Sequence, residues 1–307
     1  MKFAVMGAGA VGGYFGGLLA QNGHEVTLIA RGEHLNALQK NGLTVKSFHG
    51  DFHLKLNAVE DPKETGKVDV VLFTPKAYAT KNAVEQIVPI LDEDSLVINL
   101  QNGIDNEQIM ADVIGEKRVL GGLTYIETTI EAPGIISQKS KKRDIVFGEM
   151  NGQITERAKI LLEVFKDAGI PTVLSDNIQR DIWKKFMFLS SFSAITTITE
   201  STAGEVIEFK ETDHLLRKLL EEVYLLAKSY QIPLTEEDIE DSYQFAKTGL
   251  EPTTKSSMQR DFEKKKPLEL DSLSGAVVKY AKMVNLKTPY HKMVYGVLTL
   301  KEKNYTK

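Results

Sequence analysis

Three glycines near the start of the chain have the spacing that cradles a pyrophosphate. They lie in Gly7-Ala8-Gly9-Ala10-Val11-Gly12, which fits G-x-G-x-x-G. The first glycine permits a tight turn and the second lets the backbone approach the phosphates. The third lets strand and helix pack closely, and the helix N-terminus favours the negative charge. The spacing alone is a weak signal, so its context decides. An apolar run, Phe3–Met6, precedes the loop. Apolar residues at helical spacing follow from Gly13 to Gln21, and Glu25–Ala30 reads as the next strand. That is the strand–loop–helix–strand order a dinucleotide site requires. An acidic residue closing the second strand would bind the ribose diol of NAD. Here the strand closes with Ala30-Arg31-Gly32. The planar fork of Arg31 suits a 2′-phosphate, which points to NADP, with a plain surface arginine as the alternative.

Two further charges fall where apolar residues are expected. The segment from Asn177 to Thr197 reads as a helix, and on its wheel Lys185 lies between Ile178, Leu189 and Phe192. Lys184 projects toward the side shared with Arg180. A lysine inside an apolar arc must find a partner or lose its charge. Equally, its stem can lie on apolar surface while the ammonium reaches water. A second helix is expected to begin near Pro267, with Leu273, Val277, Tyr280 and Val284 on one stripe. Glu269 falls on that stripe, one turn before Leu273. A lysine and a glutamate on inward faces could meet, with Lys185 giving a proton to a developing alkoxide and Glu269 orienting it. Lys76 and Asn102 follow two apolar runs, Val68–Thr74 and Leu96–Leu100. Both therefore sit at carboxyl ends of expected parallel strands, where open α/β sheets bind ligands.

The elements that position these groups divide the chain in two. Continuous apolar runs alternating with helical segments fill the first half, the pattern of a parallel sheet covered on both faces. Residues 119–150, with a Pro133-Gly134 turn, read as a β-meander closing that sheet. A helix is expected over 154–168. From about Asn177 the pattern is almost wholly helical, with segments 214–230, 236–248 and 272–284 and breaks at Pro233, Gly249, Pro252, Pro267 and Pro289. The expected fold class is α/β. A Rossmann-type, doubly wound dinucleotide-binding domain spans 1–175 and an all-helical substrate and dimerisation domain spans 176–307. The active site is expected in the cleft between them.

Composition narrows the function. With 38 basic and 42 acidic residues the formal charge is −4, which gives no electrostatic reason to expect nucleic acid. The absence of cysteine excludes disulfides, thiolate metal sites and cysteine nucleophiles. The six histidines have no HExxH or similar ligand spacing, so no metal is expected. No stretch reaches the roughly 20 apolar residues needed to span a bilayer. The apolar start is too short for a signal peptide. The expectation is a soluble cytoplasmic protein.

Several separated motifs, covering nearly the whole chain, resemble the ketopantoate reductase (2-dehydropantoate 2-reductase) family. They are the glycine loop with Arg31, Pro75-Lys76-Ala77, Gln101-Asn102-Gly103 and the segment Asn177-Ile178 to Ile182-Trp183-Lys184-Lys185. Ser256-Ser257-Met258-Gln259-x-Asp261 and Glu269-x-Asp271-x-x-Ser274-Gly275 complete the series. The resemblance implies NADPH-dependent reduction of ketopantoate to D-pantoate, on the route to pantothenate and coenzyme A, by a homodimer. It implies that Lys185 is the proton donor, Glu269 a cleft carboxylate near the cofactor, and Asn102 a contact to both cofactor and substrate. Lys76 becomes a cofactor-side lysine and Ser257 a substrate-carboxylate ligand. Three positions depart from the family pattern, which has asparagine where this chain has Leu189, Ser193 and Thr254. Leu189 and Ser193 would line the substrate pocket, and Leu189 makes it more apolar. Two alternatives follow: a D-2-hydroxyacid dehydrogenase acting on branched or aromatic 2-keto acids, and a non-catalytic NADP sensor.

Overall fold

The computed structural model describes residues 1–305. The chain forms two compact units, Met1–Asp181 and Ile182–Lys307.

The first unit is built on one ten-stranded sheet. Its strands are β1 (Lys2–Met6), β2 (Glu25–Ile29), β3 (Leu43–Ser47), β4 (Phe52–Leu54) and β5 (Asn57–Val59), then β6 (Val68–Phe73), β7 (Leu91–Asn99), β8 (Val119–Ala132), β9 (Ile135–Glu149) and β10 (Thr172–Leu174). The order is β4-β3-β9-β8-β7-β6-β1-β2-β5, with β10 beside β9. From β5 to β8 every pairing is parallel. In chain order those six strands run 3-2-1-4-5-6, the doubly wound Rossmann order, with its switch point between β1 and β6. Their inner residues are fully apolar: Val5, Leu28, Val70, Val71, Leu72, Val97 and Ile98 are sealed from water. Such runs stabilise only when both faces are covered. The covering helices are α1 (Ala10–Gln21), α2 (Gly32–Asn41), α3 (Thr80–Ile87), α4 (Asn106–Ile114) and α5 (Glu156–Asp167).

Two expectations about this sheet are corrected. The 119–150 segment is a single long antiparallel hairpin, β8–β9, turning at Pro133-Gly134. It does not close the sheet, because β9 goes on to pair with β3 and β3 with β4. Those two strands, and β5, are only three to five residues long. Their alternation is too brief to register as periodicity.

The second unit is helical. It contains most of α6 (Ile178–Thr199), then α7 (Ala203–Glu208), α8 (Lys210–Ser229), α9 (Glu236–Gln244), α10 (Ser257–Glu263), α11 (Ser274–Met283) and α12 (Pro289–Tyr305). Its core is carried by α8, whose Leu216, Leu219, Leu220, Val223 and Leu226 are all buried at helical spacing. Glu222 on the same helix accepts the Tyr290 and His291 backbone N–H groups at 2.8 and 2.9 Å. That carboxylate caps the start of α12, where Pro289 begins the helix rather than only breaking the chain. The helix expected near Pro267 begins later, at Ser274. Glu269 therefore does not share a helix face with Leu273. It lies in a non-helical stretch held by a turn in which the Gly275 N–H donates to the Leu270 carbonyl at 2.9 Å. Among the described residues no helix is long and apolar enough to cross a membrane.

Candidate functional site

The glycine loop joins β1 to α1 with no room for a side chain at Gly7 or Gly12. Gly7 has φ +85°, and a Cβ there would lie 2.7 Å from the Pro75 nitrogen. A Cβ on Gly12 would strike Thr74 Oγ1 and come within 2.7 Å of Val5 Cγ1. Thr74 locks this contact by donating from Oγ1 to the Gly7 carbonyl at 2.8 Å. The loop is thus pressed against the turn after β6, at the switch point of the sheet. Above Gly9 the space is open, since the nearest atom to its missing Cβ is the Gly7 oxygen at 3.8 Å. Gly9 is also the N-cap of α1, and the first turn holds no acidic residue. The arrangement fits a dinucleotide pyrophosphate: a tight glycine cradle, open space above its middle glycine, and a helix N-terminus facing it without a competing carboxylate.

Arg31 follows β2 as the N-cap of α2 and is exposed. Its Nη2 donates to Gln86 Oε1 at 2.9 Å. Gln86 is oriented in turn by its Nε2 donating to Asn82 Oδ1 at 2.5 Å. These side chains line a cavity of ≈ 860 Å³ shared with Glu60, Asp61, Lys63 and Glu85. Lys76 stands exposed at the start of the turn after β6, and Asn102 is half-buried after β7. Sequence reasoning missed what holds these two turns in place. Asn99, Gln101, Thr80, Asn106 and Glu107 are all buried there. The available signal was Asn99, a polar residue inside the apolar run Val97-Ile98-Asn99-Leu100.

In the helical unit, the charge of Glu269, from the stretch before α11, acts on Lys185 of α6. Burial pushes the Lys185 ammonium down to about 8, and the charge of Glu269 works against that fall. A lysine near 8 holds its proton at neutral pH yet releases it readily, which suits a general acid. The adjacent Lys184 does something else. It bridges Asp238 and Asp241 of α9 at 2.8 Å each. Burial opposes its charge, but the two carboxylates hold it above the usual lysine range. Sequence position separates these lysines by one residue, and the helix turns them to different partners.

Leu189, Thr254 and Ser257 are half-buried, whereas Ser193 is sealed from solvent. Among the described residues, Ser193 Oγ, Thr197 Oγ1 and Gln259 Oε1 are buried with no hydrogen-bond partner. Ser257 opens α10, beside Ser256, whose Oγ accepts from Thr196 of α6 at 2.9 Å. That bond ties the start of α10 to the helix carrying Lys185.

The sheet order, the glycine cradle and the depressed lysine define a class: an NAD(P)-dependent oxidoreductase acting on CH–OH groups. The chain belongs to the ketopantoate reductase PanE/ApbA family, whose N-terminal model matches residues 3–152 and whose C-terminal model matches residues 177–302. It is 33% identical to an uncharacterized oxidoreductase, YkpB, of Bacillus subtilis, covering 98% of this chain and 99% of that one. It is 34% identical to a 2-dehydropantoate 2-reductase of Pyrococcus abyssi, covering 98% of each. A solved structure of D-mandelate dehydrogenase with NADH superposes with a TM-score of 0.90 at 25% identity, covering 99% of this chain and 100% of that one.

Proposed function

We propose that this protein reduces a 2-keto acid to a D-2-hydroxy acid with NADPH, and that ketopantoate, giving D-pantoate for pantothenate and coenzyme A synthesis, is its substrate. The observation that carries the reading is Lys185, a half-buried lysine that desolvation draws down to about 8 while the charge of Glu269 opposes the fall. A sensor of bound nucleotide has no need of a proton donor. The family's 2-dehydropantoate 2-reductases support the substrate.

In this reading the loop Gly7, Ala8, Gly9, Ala10, Val11 and Gly12 cradles the pyrophosphate at the α1 terminus. Arg31 pairs with the 2′-phosphate, and Lys76 neutralises charge on the cofactor side. The reduced nicotinamide, when bound, supplies a hydride to the keto carbon. Lys185 donates a proton from Nζ to the carbonyl oxygen as negative charge develops there. Glu269 keeps that ammonium charged before the step and orients it. Asn102 donates to the substrate side of the cofactor, and Ser257 receives the substrate carboxylate. Leu189 forms an apolar wall. Ser193 contributes the space that a larger side chain would fill. A homodimer is part of the proposal. Met293, Val297 and Leu300 form an exposed apolar stripe on α12 that a second copy would cover.

A second reading is favoured by one observation. Leu189 stands where an amide could bond a substrate hydroxyl, and an apolar wall there suits branched or aromatic 2-keto acids; a D-mandelate dehydrogenase is among the solved structures that the chain superposes on. Turnover of ketopantoate, 2-ketoisocaproate and phenylglyoxylate with NADPH separates the two. Highest kcat/KM on ketopantoate supports the first reading; a higher value on either other acid replaces it with the second.

A further inference from the structure

The carboxyl ends of β6 and β7 hold a buried polar chain that the proposed reaction does not use. Asn99 Nδ2 donates to Glu107 Oε1 at 2.7 Å. Asn99 Oδ1 accepts the Gln101 backbone N–H at 3.1 Å. The Gln101 side chain then donates from Nε2 to the Pro75 carbonyl at 2.9 Å and meets Thr80 Oγ1 at 2.9 Å. Thr80 Oγ1 donates to the Ala77 carbonyl at 2.8 Å and lies 2.9 Å from Asn106 Oδ1. Asn106 Nδ2 donates to the Asn102 carbonyl at 2.9 Å. The chain begins at a carboxyl group on α4 and ends at the backbone on either side of Lys76 and at Asn102 itself.

Stability gives no reason for this arrangement. Each of these groups is buried, and burying a polar group gains little over an apolar one even when it is hydrogen-bonded. The neighbours Val97, Ile98 and Leu100 show that the same layer accepts aliphatic side chains. A connected, satisfied network does give rigidity, because moving one member leaves others unpaired in a low dielectric. The rigid part lies at the ligand-binding end of the sheet.

We propose that Glu107 is a positioning residue for dinucleotide binding: through Asn99 and Gln101 it fixes the two strand-end turns that present Lys76 and Asn102. The inference rests on the cofactor reading above. Burial raises the Glu107 carboxyl to about 7, against the pull of Asn99, while the nearby Asp105 charge adds to the rise. A carboxyl that resists ionisation can be held inside the unit without a cationic partner.

The test measures NADPH affinity by fluorescence titration, and hydrogen exchange in the cofactor-free protein. Glu107→Leu and the near-isosteric Asn99→Leu should each weaken NADPH binding about tenfold, the scale of one buried hydrogen bond left unmade. Glu107→Gln, which still accepts from Asn99, should change it by less than about twofold. In both leucine variants the Gln101 N–H should exchange faster, while Val97 and Ile98 keep their protection. Unchanged NADPH affinity in both leucine variants overturns the proposal, as does loss of protection across the whole sheet. A wild-type chain that bound no dinucleotide would overturn the cofactor reading instead. The two failures are told apart because the exchange pattern of the cofactor-free variants is read without any ligand.

Discussion

The charge of Glu269 opposes the fall in pKa that burial imposes on Lys185. The balance leaves the ammonium at about 8. A proton donor must be protonated to act, so the reduction rate should hold at neutral pH and fall as pH rises through about 8. Glu269→Gln removes the charge that supports the ammonium, so the falling limb should move to lower pH. The pH profile of kcat for both proteins checks this. A limb that stays in place in Glu269→Gln would separate the two residues.

Arg31 is presented by Gln86, and the cavity they share also carries Glu60, Asp61 and Glu85. Those carboxylates repel a 2′-phosphate, and Arg31 and Lys63 of the same cavity offset them. Arg31→Ala should weaken NADPH by about 1.5–3 kcal/mol, the range for a charge-assisted hydrogen bond, and NADH by much less. Paired titrations with the two cofactors measure it. Gln86→Leu should show a smaller loss in the same direction.

Leu189 is the sharpest handle on substrate choice. Restoring asparagine supplies an amide for a substrate hydroxyl, and sites that bond a hydroxyl discriminate strongly for it. Leu189→Asn should raise the ratio of kcat/KM for ketopantoate over 2-ketoisocaproate by about tenfold or more. A ratio that falls would remove Leu189 from the pocket.

Two buried groups give stability opposite dependences on pH. His291 is sealed in the helical unit, and burial pushes it down to about 4, with the Leu219 carbonyl only partly opposing the shift. The unfolded chain takes that proton first, so stability is lost as pH falls from about 6.5 through 4. The loss reaches about 3 kcal/mol on this group alone. Glu107 has the reverse sign. Its folded pKa is raised to about 7, so its contribution is present below about 4.5 and lost as pH rises through 7. Denaturant midpoints across pH 4–8 should therefore fall at the acid end less steeply in His291→Gln. At the alkaline end they should fall less steeply in Glu107→Gln.

The long elements were legible because their periodicity is long. The apolar runs Phe3–Met6, Val68–Thr74 and Leu96–Leu100 marked β1, β6 and the second half of β7, and α8 read as a stripe; the polar start of β7, Asp92-Glu93-Asp94-Ser95, gave no such signal. The short strands β3, β4 and β5 were not, since three to five residues cannot show a period. The spacing of Glu269 to Leu273 is helical and predicts a shared helix face. Nothing in that spacing reveals that Leu273 adopts φ −110° and ψ −100° as an N-cap. Lys185 was legible as a charge in an apolar arc, but its difference from Lys184 depends on α9, which supplies Asp238 and Asp241 from more than fifty residues away. The Glu107 chain was invisible for the same reason: its bonds join β7, α3 and α4 to the turns after β6 and β7, and only Asn99 inside an apolar strand hinted at it.

The account turns on Lys185 as the proton donor. The direct measurement is single-turnover oxidation of bound NADPH by ketopantoate in wild type and Lys185→Ala, with NADPH affinity measured alongside. The expected result is a rate lower by about two to four orders of magnitude, the range for a lost general acid, with affinity for NADPH unchanged. A Lys185→Ala protein that reduces ketopantoate at the wild-type rate would contradict it.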